Sequence, residues 1–472
     1  MESAILFFKS AIANENIHNT TDEVIHWINL QNLNVKIDIR KIPFSKLDLW
    51  GFDDGLNTLK HCTGKFFSID GVRIKTNYGD VASWDQPIIN QPEIGYLGFI
   101  TKEFNGVLYF LLQAKIEPGN VNFVQLSPTL QATKSNYTRA HKGKAPKYLE
   151  YFINAQSHQV LLDQLQSEQG ARFLKKRNRN IIIKVDEDIP VFDNYIWVTL
   201  AQIKELMKFD NLVNMDTRTV ISGISYKDFS GIEDVQLTFL RNNINQDSFN
   251  SKVLKSILNT NGALNDFDHI LSFITRNKSQ YELHIEKISL GNIENWVIEN
   301  ETIEHVDKKY FRIIAVEVTI GNREVVTWTQ PMVQPAQEGL CAFVCKEING
   351  ILHFAVQAKL ECGNFDIIEL APTVQCLTGN YRNSKTNDLP FLEYVLDVSK
   401  EKIIFDNLQS EEGGRFYKEQ NRNLLIFGGD EISNELPENY IWMTLSQLQM
   451  FIKFNNYINI QARSLLAALS IN

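Results

Sequence analysis

The sequence predicts an α+β fold built by tandem duplication of one domain. Two segments are near-copies of each other, QAKIEPGN at 113–120 and QAKLECGN at 357–364, and they lie 244 residues apart (357 − 113). The motif Trp-x-Gln-Pro at 84–87 recurs at 328–331 with the same offset. Solenoid repeats have periods of about 20–50 residues, so this offset indicates a duplicated domain. Strand-like and helix-like patterns both occur, which is typical of an α+β domain.

The duplication covers most of the chain. Matching residues within 163–180 recur within 406–423, and those within 196–200 recur within 441–445. The small drift in offset fits loop insertions on a common scaffold. We therefore expect the first domain at 1–225, a polar linker at 226–250 and the second domain at 251–472.

Helices and strands can be placed in order along the first repeat. Residues 4–13 and 21–31 have the pattern of amphipathic helices. Residues 35–39 alternate between apolar and polar like a half-buried strand, and 66–74 and 106–113 are rich in strand-forming residues.

Turn and cap signals occur in both repeats. Asn-Gly at 105–106 and at 349–350 predicts a tight hairpin. TLAQ at 199–202 and TLSQ at 444–447 each place a glutamine three residues after a threonine, the pattern of a capping box. The predicted helices are 200–207 and 445–454. Each repeat is thus expected to be an antiparallel β core with helices packed on it.

Composition narrows the class of protein. The chain is 44% hydrophobic and 22% charged, as in soluble globular proteins. Its net charge of −9 argues against a nucleic-acid-binding protein. The basic run at 175–179 fits either a phosphate-binding site or a solvent-exposed face of the protein. The five cysteines are odd in number and unevenly divided, which fits neither a disulfide framework nor a zinc site.

The chain has no signal-like N-terminus and no apolar run of about 18 residues, so we expect no membrane span and a cytoplasmic location. It also lacks a strand-linked G-x-G-x-x-G, a Walker loop, H-E-x-x-H and G-x-S-x-G. These absences disfavour dinucleotide enzymes, metalloproteases and nucleophilic hydrolases. We expect neither a cofactor nor a metal.

A polar loop at 127–139 is the strongest candidate binding segment. It combines hydroxyls, an amide, an aromatic ring and two cations, which can stack on a base and bind a diphosphate. The structural alternative is a turn whose hydroxyls bond their own backbone. The candidate binding residues of this loop are Ser135, Asn136, Tyr137, Thr138 and Arg139.

The motifs Trp-x-Gln-Pro, Gln-Ala-Lys-x-Glu-x-Gly-Asn, Pro-Thr-x-Gln and Leu-Gln-Ser-Glu-x-Gly each occur twice, in order. In these motifs, and in the duplication itself, the chain resembles the NDP-hexose 2,3-dehydratase family of deoxysugar biosynthesis. The resemblance implies two Nudix-like domains per subunit and a homodimer. The chain lacks the Nudix box, whose glutamates hold a metal, so pyrophosphate hydrolysis is not expected.

The resemblance also implies a reaction. A dTDP-4-keto-6-deoxyglucose would lose its C3 proton, which is acidic beside the C4 ketone, and then expel the C2 hydroxyl. The product would be a 2,6-dideoxy-3,4-diketo sugar for a downstream ketoreductase or aminotransferase. This chemistry needs a base, an acid near the C2 oxygen and donors at the C4 oxygen.

A nucleotide-sugar pocket in each half follows from the resemblance. Trp50 and Trp296 are candidates to stack on the base or cover the sugar, although a repeated tryptophan also suits a core. The loops at 169–172 and 412–415 suit a diphosphate, because their glycines allow close backbone approach and each loop carries an arginine. Each could instead be a tight turn with a surface arginine. The further binding candidates are Gln169, Gly170 and Arg172 in the first repeat, and Asn380, Tyr381, Arg382, Glu412, Gly413, Gly414 and Arg415 in the second.

Two Lys-x-Glu pairs are candidates for acid and base. In a strand, residues two apart face the same side, so Lys115 with Glu117, and Lys359 with Glu361, can form pairs with shifted pKa values. The structural alternative is an ion pair kept in both copies. The remaining catalytic candidates are Tyr137 and Tyr381, as donors to the C4 oxygen, and His141, as a base.

The residues leave other functions open. A noncatalytic nucleotide-sugar-binding protein would need the same duplicated pockets. A sugar-nucleotide ketoisomerase would begin with the same proton abstraction. Which repeat performs the chemistry, and which nucleotide it prefers, are also open at this point.

Overall fold

The computed structural model describes residues 2–14, 16–133, 145–226, 234–244, 246–258, 262–321, 327–377 and 389–472. Helices and strands alternate along both halves in nearly the same order, which confirms a mixed α and β protein with two repeated halves.

The elements of the first half are α1 Glu2–Ile12, α2 Thr21–Asn34, β1 Ile37–Ile42, β2 Trp50–Phe52, β3 Thr58–His61, β4 Ser68–Thr76, β5 Ser83–Asn90, β6 Gly95–Phe104, β7 Val107–Ile116, β8 Val124–Ser127, β9 Leu130–Ala132, α3 Leu149–Ile153, β10 Val160–Ser167, β11 Arg177–Lys184, β12 Tyr195–Thr199, α4 Leu200–Leu206 and α5 Met215–Ser222.

The elements that follow are α6 Asp234–Asn243, α7 Phe249–Leu258, α8 Phe267–Gln280, β13 Leu283–Ile288, β14 Trp296–Ile298, β15 Thr302–His305, β16 Phe311–Ile320, β17 Thr327–Pro335, β18 Gly339–Ile348, β19 Ile351–Lys359, β20 Glu369–Ala371, β21 Val374–Leu377, α9 Leu392–Asp397, β22 Ile403–Ser410, β23 Gln420–Phe427, β24 Tyr440–Thr444, α10 Leu445–Ile452 and α11 Ile460–Ala467.

The two repeats exchange a strand. Strand β1 of the first repeat pairs antiparallel with β16 of the second, with Ile37 opposite Ile320. In return, β13 of the second repeat pairs antiparallel with β4 of the first, with Leu283 opposite Thr76. In the part of the chain that the structure describes, each of the two five-stranded sheets therefore contains one strand from the other repeat. The repeats are interlocked rather than merely adjacent.

Each repeat also builds a seven-stranded sheet within the described residues. In the first, β6 and β11 run parallel, and in the second, β18 and β23 do the same. The expectation of an antiparallel β core is therefore wrong for this one strand pair in each sheet, while the other described strand pairs of these sheets are antiparallel as expected. Local alternation marks a segment as a strand, but the direction of its neighbour depends on a connection of many residues, which no local pattern reports.

The largest apolar core includes side chains from both halves. Phe99 and Phe110 of the first repeat, and Phe343 and Phe354 of the second, are fully buried in it. Helices α5 and α11 pack on each other between the two seven-stranded sheets. Two arginines on these helices, Arg218 and Arg463, are also completely buried.

Local predictions from the sequence agree with the structure at several points. Thr199 accepts a hydrogen bond from the Gln202 amide at 3.2 Å, and the Gln202 side chain accepts from Thr199 N at 3.0 Å, which confirms the capping box. Asn105 and Gly106 both have positive φ, 50° and 79°, as a two-residue hairpin requires. Helix α6 lies inside the segment 226–250, whose role as a linker stays a prediction.

Candidate active site

A cavity of about 1380 Å³ lies between the first repeat's seven-stranded sheet and, from the second repeat, strand β17 and the loop at 412–415. We call it the Lys115 cavity. Its walls include Lys115 and Glu117 on and just after β7, together with Trp328 and Glu412 from the second repeat. Neither repeat alone provides all of its walls.

Lys115 and Glu117 form an ion pair at the edge of this cavity. Lys115 Nζ lies 3.0 Å from Glu117 Oε1, which confirms that the two side chains face the same side of the strand. The same oxygen accepts a hydrogen bond from Gln131 Nε2 at 2.8 Å. Glu117 is buried, and its second oxygen, Oε2, is without a hydrogen-bond partner among the described residues. That oxygen is an unsatisfied hydrogen-bond acceptor in the cavity wall.

Glu412 reaches the same cavity from the second repeat. The amide of Gly119 donates to the carbonyl of Gly413 at 2.7 Å, and this bond places the Glu412 loop against the segment that follows Glu117. Glu412 Oε1 accepts from the Gly414 amide at 2.9 Å, while its buried Oε2 has no partner in the described structure. Burial, and then the negative charge of Glu117, raise the pKa of Glu412 to about 7.

Lys176 and Glu168 are two further charged residues of the cavity wall. Glu168 accepts from Asn178 Nδ2 at 2.6 Å, and its amide donates to the carbonyl of Lys176 at 3.0 Å. The Lys176 ammonium donates to the carbonyl of Glu93. Burial lowers the pKa of Lys176 to about 8, and the charge of Glu168 opposes this shift. Lys176 is thus a cation that can lose its proton near neutral pH.

Asp216, in the first turn of α5, is a further buried carboxyl of the cavity wall. Burial raises its pKa well above the usual range, and the charges of Glu168, Glu412 and Glu117 raise it further. A site with this many carboxyls close together favours retention of protons at neutral pH.

Arg415 provides a fixed cation on the second-repeat side. Its guanidinium donates to Gln91 Oε1 at 3.2–3.3 Å and lies 4.4 Å from the centre of the Phe67 ring. The Gln330 amide donates to the carbonyl of Gly414 at 2.8 Å and accepts from Trp328 Nε1 at 2.8 Å. The repeated Trp-x-Gln-Pro motif therefore holds the loop that carries Glu412 and Arg415.

Trp50 is half-buried and lines the cavity. Its ring lies 4.7 Å from that of Phe67 and 5.3 Å from that of His61. Its counterpart Trp296 is buried in a hydrophobic core and donates from Nε1 to the carbonyl of Asp85 at 2.7 Å. The two tryptophans thus have different surroundings, and only Trp50 is among the residues that line this cavity.

The equivalent cluster of the second repeat, which we call the Lys359 cluster, keeps part of this arrangement. Gln375 Nε2 donates to Glu361 Oε1 at 2.8 Å, as Gln131 does to Glu117. Lys359 Nζ donates to the Gln375 carbonyl at 3.3 Å. Gln169 donates to Glu411. At three equivalent positions the residues differ: the Lys115 cavity has Glu412, Lys176 and Asp216 where the Lys359 cluster has Gln169, Glu419 and Gln461.

Gly170 and Gly413 contact backbone of the opposite repeat. Gly363 N donates to the Gly170 carbonyl at 2.6 Å, the counterpart of the bond between Gly119 and Gly413. Arg172 lies 4.2 Å from the Phe311 ring centre, as Arg415 does over Phe67. A binding role for these loop residues stays a prediction. The remaining candidates lie outside the described residues: Ser135, Asn136, Tyr137, Thr138, Arg139, His141, Asn380, Tyr381 and Arg382.

Sequence reasoning missed three polar residues of the cavity. Glu168 belongs to the repeated Leu-Gln-Ser-Glu-x-Gly motif, and Lys176 lies in the basic run at 175–179, so a signal for each was present. Asp216 offered no signal, because its counterpart is Gln461 and no motif surrounds it. Its position becomes apparent only when α5 packs against the sheet.

Among the described residues, His, Cys, Asp and Glu side chains do not gather in threes that could hold a metal ion. The same residues contain no helix that is long and apolar enough to span a membrane.

Comparison with known proteins yields a consistent set of relatives. The family model described as NDP-hexose 2,3-dehydratase matches the chain twice, over residues 21–224 and 267–469. A dTDP-4-dehydro-6-deoxy-alpha-D-glucopyranose 2,3-dehydratase of Saccharopolyspora spinosa is 41% identical over 464 residues, covering 98% of this chain and 94% of the relative. The protein of the same description from Amycolatopsis orientalis is 38% identical over 471 residues, covering 98% and 92%. The chain therefore belongs to the NDP-hexose 2,3-dehydratase family.

Proposed function

We propose that this protein removes water from dTDP-4-keto-6-deoxyglucose across C2 and C3, and that it does so in the Lys115 cavity. The observation that carries the proposal is the pair of unpartnered, buried carboxyl oxygens, one on Glu117 and one on Glu412, in a cavity that also holds cations. The substrate is taken from the names of the relatives, each of which is described as acting on this sugar.

The reaction needs proton transfer at four atoms: C3, the C2 oxygen, C2 and the C3 oxygen. A base takes the proton from C3, and the electrons of that bond move toward the C4 oxygen to give an enolate. The enolate then expels the C2 hydroxyl, which leaves as water after receiving a proton from an acid. The C2–C3 enol finally takes a proton at C2 and loses one from the C3 hydroxyl, which gives the 3,4-diketo product.

The carboxyls of Glu117 and Glu412 are assigned the proton transfers. A general base works best when its pKa is near the working pH, and the pKa of Glu412 is raised to about 7. In our proposal the ionised Glu412 takes the C3 proton. Its unpartnered Oε2 is the atom that would receive it. Glu117, paired with Lys115 at 3.0 Å, stands beside it as the second proton-transfer group.

The cations of the cavity are assigned the stabilisation of negative charge on the enolate and on the diphosphate. Charge develops on the C4 oxygen in the enolate, and a cation placed there before reaction lowers the barrier. Lys176 is such a cation, with Glu168 beside it to favour its protonated form. Arg415, held by Gln91, is suited to the diphosphate, because a guanidinium offers donors in a fork that matches phosphate oxygens.

The residue differences between the repeats support the Lys115 cavity as the place of chemistry. The Lys359 cluster has an amide, Gln169, where the cavity has the carboxyl of Glu412. It has a carboxyl, Glu419, where the cavity has the ammonium of Lys176. An amide is no proton-transfer group, and a carboxylate repels an enolate. The Lys359 cluster is therefore assigned a binding role.

Further features of the family resemblance belong to the same proposal. They are Nudix-like folding of each repeat, a homodimer, a cytoplasmic location, catalysis without metal or cofactor, and delivery of the diketo sugar to a ketoreductase or aminotransferase. The reactive adjacent ketones of the product favour rapid consumption by such an enzyme.

The test is turnover of dTDP-4-keto-6-deoxyglucose by the purified protein in D2O, without added metal or nicotinamide cofactor. A diamine is included to trap the adjacent ketones of the product, and the masses of the products are measured by mass spectrometry. We expect the loss of one water in the wild type and, for Glu412→Gln, a kcat lower by about 10²–10⁴. Deuterium uptake without loss of water would support a ketoisomerase. Tight binding with no exchange would support a noncatalytic sugar-nucleotide protein.

A further inference from the structure

Two completely buried arginines cross between the repeats at equivalent positions. Arg463, on α11 of the second repeat, donates from Nη2 to the carbonyl of Ser167 in the first at 2.6 Å. Arg218, on α5 of the first repeat, donates from Nη2 to the carbonyl of Ser410 in the second. In each case the accepting residue directly precedes a buried glutamate, so each arginine reaches the pocket region of the opposite repeat.

Arg463 is held in place by further bonds. Its Nη1 donates to the carbonyl of Ile458 at 2.6 Å, and its Nε donates to Thr219 Oγ1 on α5 at 3.1 Å. A buried guanidinium is stable only when its donors are satisfied and a negative charge is close. The side chain is therefore fixed in position and carries a positive charge that solvent does not screen.

The charged neighbours of the two arginines differ. The negative charge with the largest effect on the pKa of Arg463 is that of Glu369, followed by that of Glu168, and Ser167 Oγ donates to Glu369 Oε2 at 2.8 Å. For the pKa of Arg218 the largest such effect is instead that of Glu411, with Asp216 contributing less. Glu168 lines the Lys115 cavity, whereas Glu411 and Glu369 are not among the residues that line it. The charge of Arg463 is thus directed at a wall of the cavity.

We propose that Arg463 is a positioning residue for the Lys115 cavity. Its charge keeps Glu168 as a carboxylate, and that carboxylate keeps Lys176 protonated where the enolate forms. Glu168 and Lys176 are neighbours in the backbone of the cavity wall, because the Glu168 amide donates to the Lys176 carbonyl at 3.0 Å. The connection to turnover rests on the function proposed above. The electrostatic part does not, and it can be tested without substrate.

The shifts in pKa agree with this arrangement. Burial raises the pKa of Glu168, and the charge of Arg463 is the largest effect that lowers it again, followed by Lys176. The charge of Glu168 is in turn the largest effect that raises the pKa of Lys176. The other charges around Lys176 are Arg415, Glu93 and Glu412.

The first experiment measures the free energy of unfolding by denaturant between about pH 5 and pH 8, a range that brackets the raised carboxyl values. Arg463→Gln is compared with the wild type, and the double variant Arg463→Gln, Glu168→Gln is compared with Glu168→Gln alone. We expect the loss of stability in Arg463→Gln to grow as the pH rises, because a buried carboxylate forms without its cation. Glu168→Gln should remove part of this growth.

Two controls make the result specific. Glu369→Gln shows how much of the pH-dependent loss of stability comes from Glu369. Arg218→Gln removes an equally buried arginine, and Glu168→Gln should leave its pH dependence unchanged. The proposal is contradicted if Glu369→Gln removes all of the pH-dependent loss of stability seen in Arg463→Gln. It is also contradicted if Glu168→Gln changes the pH dependence of stability equally in both arginine variants.

The second experiment measures kcat against pH with dTDP-4-keto-6-deoxyglucose. In Arg463→Gln the alkaline limb, which is assigned to Lys176, should move down by about one pH unit, because Glu168 without its cation stays protonated to higher pH and no longer favours the ammonium, and a close opposite charge shifts a pKa by about 1–3 units. Arg463→Lys, which keeps a cation, should restore most of the wild-type profile. An unchanged alkaline limb in Arg463→Gln would overturn the positioning role. Absence of wild-type turnover would instead contradict the proposed function, and the unfolding series would still decide on Arg463.

Discussion

The backbone amide of Gly119 in the first repeat donates to the carbonyl of Gly413 in the second at 2.7 Å. This bond places the loop that carries Glu412 beside the strand end that carries Glu117. Its counterpart joins Gly363 to Gly170 at 2.6 Å. The acidic pair of the Lys115 cavity therefore depends on a contact between backbones that leaves no room for a side chain.

Substitution of Gly119 should separate the two loops. A Cβ at this position would overlap the carbonyl oxygen of Phe416, which is backbone and cannot rotate away. We expect Gly119→Ala to cost about 1–3 kcal/mol, as other overpacked sites do, and to lower kcat as well. The measurement is denaturant unfolding with kcat. Gly51→Ala is the control, because a Cβ there meets no atom within 4 Å. Equal losses in both variants would contradict this account.

The two Lys-x-Glu pairs should differ in their importance for turnover. Glu117→Gln removes a proton-transfer group of the Lys115 cavity, so we expect kcat to fall by about 10²–10⁴. Glu361→Gln makes the same change at the equivalent position of the Lys359 cluster, and its effect on kcat should be far smaller. Steady-state kinetics of both variants decides the matter. A larger loss in Glu361→Gln would place the chemistry in the other repeat.

The pH dependence of kcat should be bell-shaped and narrow. Glu412 must be ionised to accept a proton, so activity should fall as the pH drops through about 7. Lys176 must be protonated to stabilise the enolate, so activity should fall as the pH rises through about 8. Lys176→Arg keeps its charge at high pH, and we expect the alkaline limb to move upward in that variant. An alkaline limb that stays in place would remove Lys176 from the assignment.

The two repeat-related tryptophans should respond differently to substitution. Trp50 lines the cavity, and loss of a stacking ring costs about 1–3 kcal/mol of binding, so Trp50→Ala should raise KM. Trp296 is buried and bonds the Asp85 carbonyl at 2.7 Å, so Trp296→Ala should cost about 3–5 kcal/mol of stability. Kinetics and thermal unfolding of both proteins provide the comparison. The opposite pattern would exchange their roles.

Lys204 should make stability depend on pH. This buried lysine donates to the carbonyls of Ala467 and Leu469, at 2.9 and 2.6 Å, and burial lowers its pKa to about 7. Between that value and its usual range the unfolded chain binds the extra proton, so stability should rise with pH by up to about 1.4 kcal/mol per unit relative to Lys204→Met. Lys208→Met, at an exposed position, is the control. A flat difference would contradict the lowered pKa.

The sequence was sufficient for features that depend on near neighbours. The side-by-side placement of Lys115 and Glu117 follows from strand alternation, and the cap at Thr199 follows from the residue three positions later. The approach of Glu412 to Glu117 does not follow from any local pattern. It depends on the pairing of loops nearly 300 residues apart, which only the folded chain brings together.

The difference in role between the two repeats could be predicted only in part from the sequence. The replacement of Lys176 by Glu419 is visible once the repeats are aligned, but its meaning depends on the side chain being buried in a cavity wall. The binding loop at 135–139 could be proposed from its composition, and that proposal remains a prediction because these residues lie outside the described ones.

The exchanged strands impose an order on biosynthesis. Strand β1 leaves the ribosome early, yet its partner β16 is not complete until residue 320 has been synthesised. Until then the emerging chain presents an unpaired strand edge, which is a site for misassociation with other chains. A chain cut between its repeats would keep that edge permanently. Fusion of the two repeats into one polypeptide thus guarantees that every β1 meets a β16 at high local concentration, whatever the abundance of the protein in the cell.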